Sequence, residues 1–285
     1  MFSKRYDGRQ IKGLDPFFKL MPHIMVRRSD AQIFYKQRIF TAPIDQYIKE
    51  RKADGDASLS YMTVVIAAFV RLLGQRPSMN RFIMNGRVFA RKRIWVSFAI
   101  MKSLRDGGQE TTLKLGFDGT ETLSEISRIV SEAVALNKIP TERNLTDKVA
   151  GAFMAMPNLL IQFLLGGLKL LDRWGIMPKI IIDASPFHTS FFLTNVKSIN
   201  LNYVYHHLYD FGTTSVFLAL GNQQNTPIVT HDGLSTGKSV TIGVTVDERI
   251  CDGLYLANSL KLFKRYIENP AMLDTPVEAI VPDID

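Results

Sequence analysis

Residues 31–40, "AQIFYKQRIF", alternate loosely between apolar and polar and predict a strand; the charged run "IDQYIKERKADG" after it predicts a helix ending at Gly55. "SLSYMTVVIAAFVRLLGQRPSMN", residues 58–80, predicts a strongly apolar helix, capped by a serine or by Asp56 and stopped by Gly74 and Pro77. "RFIMNGRVFARK" pivots on Asn85-Gly86, a hairpin signal, and "IWVSFAIMK" and "TTLKLGF" add two strands. The Thr/Ser-x-x-Glu pattern opening "TETLSEISRIVSEAVAL" predicts a capped amphipathic helix.

Pro140 begins a mostly helical stretch reaching about residue 182. Strands return as "TSFFLTN", "SVFLALG" and "SVTIGVTV", with "HDGLSTGK" as the hairpin joining the last two. "DGLYLANSLKLFKRYIENP" predicts a final amphipathic helix stopped by Asn269-Pro270. No repeat, low-complexity tract or Gly/Ser linker interrupts the pattern. Residues 1–285 therefore read as a single α/β domain, an α+β layering of mixed strands and covering helices.

Composition changes this picture little. At 46% hydrophobic and 10% aromatic, the chain has the material for a folded core, which excludes wholesale disorder. The balance of 35 basic against 27 acidic residues, net +8, favours anionic partners without choosing among them. A lone cysteine, Cys251, excludes an internal disulfide, and "MFSKRYDGRQIKG" has no apolar signal core; a cytoplasmic protein is expected. Residues 149–168 carry no charge, but Pro157, Asn158, Gln162 and Gly166-Gly167 weaken a membrane span. A buried or interface helix is expected there, with a membrane-surface helix edged by "KLLDRW" as the alternative.

The titratable residues suggest no metal, since five histidines and one cysteine never take a ligand spacing such as H-E-x-x-H or C-x-x-C. His231 beside Asp232 in "THDG" reads as a turn, and His188 in "ASPFHTS" as structural. "YHHLYDFG" offers His206 and Asp210 at H-x-x-x-D spacing, but on an aromatic segment ahead of a strand, so packing is favoured over catalysis at His206 or His207. No nucleic-acid motif and no glycine-rich nucleotide loop after a strand is present. "VDERICDG", residues 246–253, has the strand, the charged turn and the glycine of a catalytic loop, but no obvious catalyst.

The segment "SVTIGVTVDERICDGLYLANSLKLFKRYIENPAML" resembles the end of the catalytic (acyltransferase) domain of 2-oxoacid dehydrogenase complexes, with its strand, Asp-His-Arg-x-x-Asp-Gly, helix and Pro-x-x-Leu/Met-Leu. Chloramphenicol acetyltransferase has a related ending, His-His-x-x-x-Asp-Gly. "FFLTN" is similar to the family's Thr-Ile-Ser-Asn strand and "SVFLALG" to its Ala-Ile-Leu-Ala-Val-Gly strand. Earlier, "SLSYMTVVIAAFVRLLGQRPSMN", "RIWVSFAI" and "TLSEISRIV" resemble the family's first long helix, the strand after it and its Leu-Ser-Glu-Ile-Ser helix. The resemblance covers roughly residues 20–273.

The resemblance implies a chloramphenicol-acetyltransferase-like mixed sheet flanked by helices, usually a homotrimer with active sites in channels between subunits, and no lipoyl or subunit-binding domain. It implies a coenzyme A-dependent acyltransferase that moves an acyl group from an acyl-CoA or pantetheine thioester to a thiol or hydroxyl. Glu248 stands where the family has its catalytic histidine, Thr194 where it has the hydroxyl that donates to the oxyanion, and Asp252 where it has a loop-ordering carboxylate. Arg249 or an N-terminal arginine, Arg27 or Arg28, is the implied partner of that carboxylate, Gly253 supports the turn, and Asn195 and Ser198 are the implied substrate-binding positions. A non-catalytic trimer kept for binding or assembly, and a membrane-surface acyl or lipid binder using residues 149–168, are the competing expectations.

Overall fold

Period-two patterning puts the strands into two sheets and the 3.6-period segments onto them. The computed structural model describes residues 5–102, 110–138, 148, 151–152, 154–230 and 233–285. In chain order the elements are β1 (Gly8–Gln10), α1 (Pro16–Ile24), β2 (Gln32–Phe40), α2 (Ala42–Ala53), α3 (Tyr61–Gln75), β3 (Arg81–Met84), β4 (Arg87–Arg91), β5 (Ile94–Met101) and β6 (Glu110–Phe117). Then follow α4 (Leu123–Lys138), α5 (Asn158–Trp174), α6 (Lys179–Ala184), β7 (Phe191–Asn195), β8 (Val216–Thr230), β9 (Gly233–Asp247) and α7 (Gly253–Glu268). The main sheet runs β2-β9-β8-β7-β5-β6, with β7 parallel to β5 and β8 and the other pairs antiparallel. A small sheet, β1-β4-β3, stands beside it.

Helix α3 fits its apolar sequence because it is buried nearly all round. Ser60 caps it, accepting from Thr63 N while Thr63 Oγ1 accepts from Ser60 N. Phe69 on α3 meets Phe191 of β7 at 4.6 Å and Phe263 of α7 at 5.1 Å, so one ring joins sheet and helices. The β3–β4 turn places Asn85 at φ 50° and Gly86 at φ 68°, the paired left-handed conformations that Asn-Gly tolerates and β-branched residues do not.

Two expectations need correction. "HDGLSTGK" is not an eight-residue connection: β8 and β9 pair as far as Thr230↔Gly233. A two-stranded ladder satisfies its own backbone groups without an apolar core, so its polar sequence concealed it. His231 and Asp232 lie outside the described residues. Of the buried or interface helix expected over 149–168, only burial within the chain is overturned: Leu159 is 81% and Phe163 77% exposed, and of α5 only Asp172 is buried. Residues 149, 150 and 153 lie outside the described residues. Among the described residues no helix is long and apolar enough to cross a membrane.

Lys114 on β6 is folded into an unusual position. Its ammonium donates to the carbonyls of Ile182 and Ser185 and lies 5.0 Å from the Trp95 ring. Burial, aided by repulsion from Arg91, pulls its pKa from 10.5 to about 7. The unfolded chain therefore holds one more proton between these two values, so this group makes stability rise with pH from about 7 to 10. The melting temperature of the native protein minus that of Lys114→Met is expected to increase between pH 7 and pH 9. A difference that stays flat or falls would contradict the assignment.

Candidate functional site

The loop after β9 is fixed by one carboxylate. Asp247, fully buried, accepts from Arg249 Nε and Nη2, each at 2.7 Å, and lies 3.5 Å from Arg28 Nε. Arg249 Nη1 also donates to Met25 O at 2.6 Å. Arg28 reaches the other way, with Nη1 donating to Tyr209 O and Gly212 O and its backbone N–H to Asp210 Oδ1. Burial lowers the Arg28 pKa, and Asp247 opposes that shift.

This clamp differs in membership from the sequence expectation. Among the described residues Asp252 pairs with no arginine; it is exposed and caps α7, accepting from Tyr255 N at 2.8 Å, because it precedes the first helical turn. Arg27 is exposed, and Arg28 is the buried partner, since the short 3₁₀ turn starting at Arg28 turns that side chain inward. Gly253 is not required by its own surroundings, for a Cβ there would meet open space. Glu248 is half-buried, and its side chain has no hydrogen bond or ion pair among the described residues.

Thr194 lies far from this loop in the same chain. It stands level with Ala219 on β8, and Ala219 with Gly243 on β9. Glu248 is five residues beyond Gly243, so roughly 16 Å along the strand and about 10 Å across two strand spacings separate them, roughly 19 Å in all. One chain does not bring Thr194 and Glu248 together.

Thr194 instead faces a cavity of about 430 Å³ beyond the carboxyl ends of β5 and β7. Met62, Ile100, Met101, Val134 and Val196 provide apolar walls, and Asn195 and Ser198 line it as well. Ser198 Oγ is spent locally on Asn195 O at 2.6 Å. Thr194 Oγ1, Asn195 Oδ1 and His206 Nε2 are buried atoms without a hydrogen-bond partner among the described residues. Each such atom costs roughly 1–3 kcal/mol, so three around one cavity suit a polar ligand with an apolar body. Lys197, on the turn that follows Asn195, places its ammonium 3.9 Å from the Tyr61 ring, and burial lowers its pKa.

His206 reaches this cavity on a strap, residues 201–209, that crosses the face of the sheet opposite α3. The carbonyls of Asn202 and Val204 lie so close to Gly221 and Gly243 that any Cβ at either glycine would overlap them. The His206 ring stacks on Phe217 at 4.4 Å, and Phe217 on Phe192 at 4.9 Å, two residues before Thr194 on the same side of β7. Burial and neighbouring His207 lower the His206 pKa, so the ring is neutral at pH 7 and able to accept a proton. The sequence did hold a signal for this residue. Val204, His206 and Leu208 share one parity of an extended segment, and Leu208 is 2% exposed.

His188 is fully buried, with Nδ1 2.8 Å from Ser185 Oγ and Nε2 3.1 Å from Asp172 Oδ2. Asp172 also pairs with Arg5 at 2.7 Å. These partners use both ring nitrogens, and burial lowers the His188 pKa. A second cavity, about 520 Å³, opens near Asp172 between His23, Arg28, Asn85, Arg173 and Arg249.

Residues 189–274 match the family model described as 2-oxoacid dehydrogenases acyltransferase (catalytic domain). No curated protein sequence matches the chain. In structure the chain is similar to a probable dihydrolipoamide acetyltransferase from Listeria monocytogenes, with a TM-score of 0.57 and 15% identity over 90% of this chain and 93% of that one. A dihydrolipoamide acetyltransferase from Azotobacter vinelandii gives 0.58 and 11% over 92% and 93%, and chloramphenicol acetyltransferase 0.53 and 13% over 91% and 99%. The resemblance first read from the motifs is therefore present in the folded chain, and the fold is the chloramphenicol-acetyltransferase-like mixed sheet flanked by helices.

Two substitutions test how the site is held. Asp247→Asn removes the charge that compensates two buried guanidiniums and is expected to cost about 3–5 kcal/mol in urea unfolding. Gly221→Ala pushes the strap off the sheet and is expected to cost about 1–3 kcal/mol or more. Losses within about 0.5 kcal/mol, the range of ordinary surface changes, would contradict the clamp or the close approach.

Proposed function

We propose that the protein transfers an acyl group from a coenzyme A or other pantetheine thioester to a thiol or hydroxyl acceptor in the cavity beyond β5 and β7, in the cytoplasm. The observation that carries this reading is the Thr194 hydroxyl, without a partner among the described residues, in a cavity with apolar walls. A hydroxyl held there can donate to the oxyanion of a tetrahedral intermediate, a contact worth about 3–4 kcal/mol where it has been removed from other enzymes. The net charge of +8, with Lys197 beside the cavity, suits a substrate carrying phosphates.

Glu248 occupies the sequence position of the family's base, yet only a neighbouring copy could bring it near Thr194. An ordinary Glu pKa of about 4.3 against about 6.5 for His makes it a poorer proton acceptor by ~2 units, on the order of 3 kcal/mol. The reading therefore does not rest on Glu248. Assembly into a homotrimer is part of the proposal, since the bare apolar side of α5 calls for a protein partner.

A second reading is favoured by the same helix. Leu159 and Phe163 of α5 and Phe17 and Ile24 of α1 are exposed, with Lys19, Lys169 and Arg173 on the same two helices. That combination suits the surface of an anionic membrane. Light scattering without detergent is expected to give the mass of three chains. A stable monomer that sediments with anionic vesicles would replace the trimer with the membrane-surface binder.

Incubation with a panel of acyl-CoA donors and thiol or hydroxyl acceptors is expected to release free coenzyme A thiol, with binding weakening as salt rises. Thr194→Val is expected to lower kcat by about 100-fold or more. Absence of turnover and of binding at millimolar donor would overturn the proposal.

A further inference from the structure

We propose that His206 is the proton acceptor of this transfer, acting within the same chain as Thr194. The inference rests on the reading that the cavity beyond β5 and β7 holds the acyl thioester.

Three features of the chain carry it. Buried imidazoles are ordinarily hydrogen-bonded, as His188 is on both nitrogens, whereas His206 Nε2 is buried without a partner among the described residues and its residue lines the same cavity as Thr194 and Asn195. The ring is held in one plane by Phe217, at 4.4 Å and 23°, and Phe217 by Phe192. The strap that carries it is seated at one end by Gly221 and Gly243 and at the other by Arg28, which binds the Tyr209 carbonyl. The imidazole is thus positioned by the framework rather than by a mobile loop. Among the described residues the titratable neighbours are His207 in the chain, Glu110 at the cavity and Lys197 on the turn beside it. Burial and His207 keep the ring neutral at pH 7, the form that accepts a proton.

In the step itself, His206 Nε2 takes the proton from the acceptor S–H or O–H as that sulfur or oxygen bonds to the thioester carbonyl carbon. The carbonyl electron pair moves to oxygen, where the Thr194 hydroxyl donates to it. As the carbonyl re-forms, the carbon–sulfur bond breaks, and the proton passes from His206 to the departing thiolate. Acyl thioester and acceptor become acylated acceptor and free thiol, with no oxidant or other reactant.

The test compares native protein with His206→Ala, His206→Phe and His207→Gln by thiol release under the same donor and acceptor. His206→Phe keeps a ring on Phe217, so its melting temperature is expected to match the native one. Both His206 variants are expected to lose about 100-fold in kcat with KM within a few-fold, and to lose the acidic limb of the pH profile. Added imidazole is expected to restore part of the rate to His206→Ala, which left a ring-sized space, and none to His206→Phe. His207→Gln removes one of the groups that lower the His206 pKa, so it is expected to keep the plateau kcat within a few-fold while the acidic limb moves to higher pH. Native turnover that survives in His206→Phe, or a ten-fold gain from Glu248→His with no loss in His206→Phe, overturns the inference and leaves the acyltransferase reading standing. A native protein that releases no thiol from any donor overturns both.

Discussion

A single buried carboxylate holds together the parts of this protein that are distant in sequence. Asp247 ends β9 with both oxygens engaged by Arg249 and with Arg28 close by. Through Arg249 it fixes the segment after α1, and through Arg28 it fixes residues 209–212. Three charges are out of water there, and their net contribution to stability is small because desolvation offsets attraction. What they provide is position: if one partner is lost, the others are stranded at high cost, so these three segments keep one arrangement.

The strap over the open face of the sheet follows from that arrangement. Its far end is tied to Arg28, and its near end lies on Gly221 and Gly243, where no side chain keeps the backbone away. Between these two anchors His206 is turned toward Phe217 and the Thr194 cavity. The parallel register of β5, β7 and β8 brings the ends of β5 and β7 to one edge, leaving a recess that adjacent antiparallel hairpins would cover. Thus the clamp at one end of β9 and the cavity at the end of β7, too far apart to share chemistry in one chain, are linked mechanically by residues 201–212.

Local patterns in the sequence were read where local physics decides the outcome. The capping box at Ser60, the Asn85-Gly86 turn and the apolar alternation of β7, β8 and β9 all depend on a few neighbouring residues. The residue pairings depend on the tertiary fold, and these went astray. Arg27 and Arg28 are adjacent and chemically identical, and only the turn that begins there buries the second. Asp247 and Asp252 flank the same loop, and which of them meets Arg249 is a matter of backbone direction. His206 reads as a packing residue from its aromatic surroundings, and its ring does stack on Phe217; its place at the cavity depends on the course of residues 201–209 across the sheet. The exposed face of α5 was legible as an uncharged run, while what covers it is not written in this chain's own contacts.

In the proposed transfer the acyl thioester occupies the cavity of Thr194 and His206 rather than the larger one beside Arg249. Titration of coenzyme A and of a non-reactive acyl analogue into protein labelled at the histidine ring nitrogens tests it directly, because each cavity has its own histidine. The His206 resonances are expected to shift with added ligand while His188, bonded on both nitrogens, stays in place. A shift of His23, which lines the larger cavity, with His206 unmoved would contradict it.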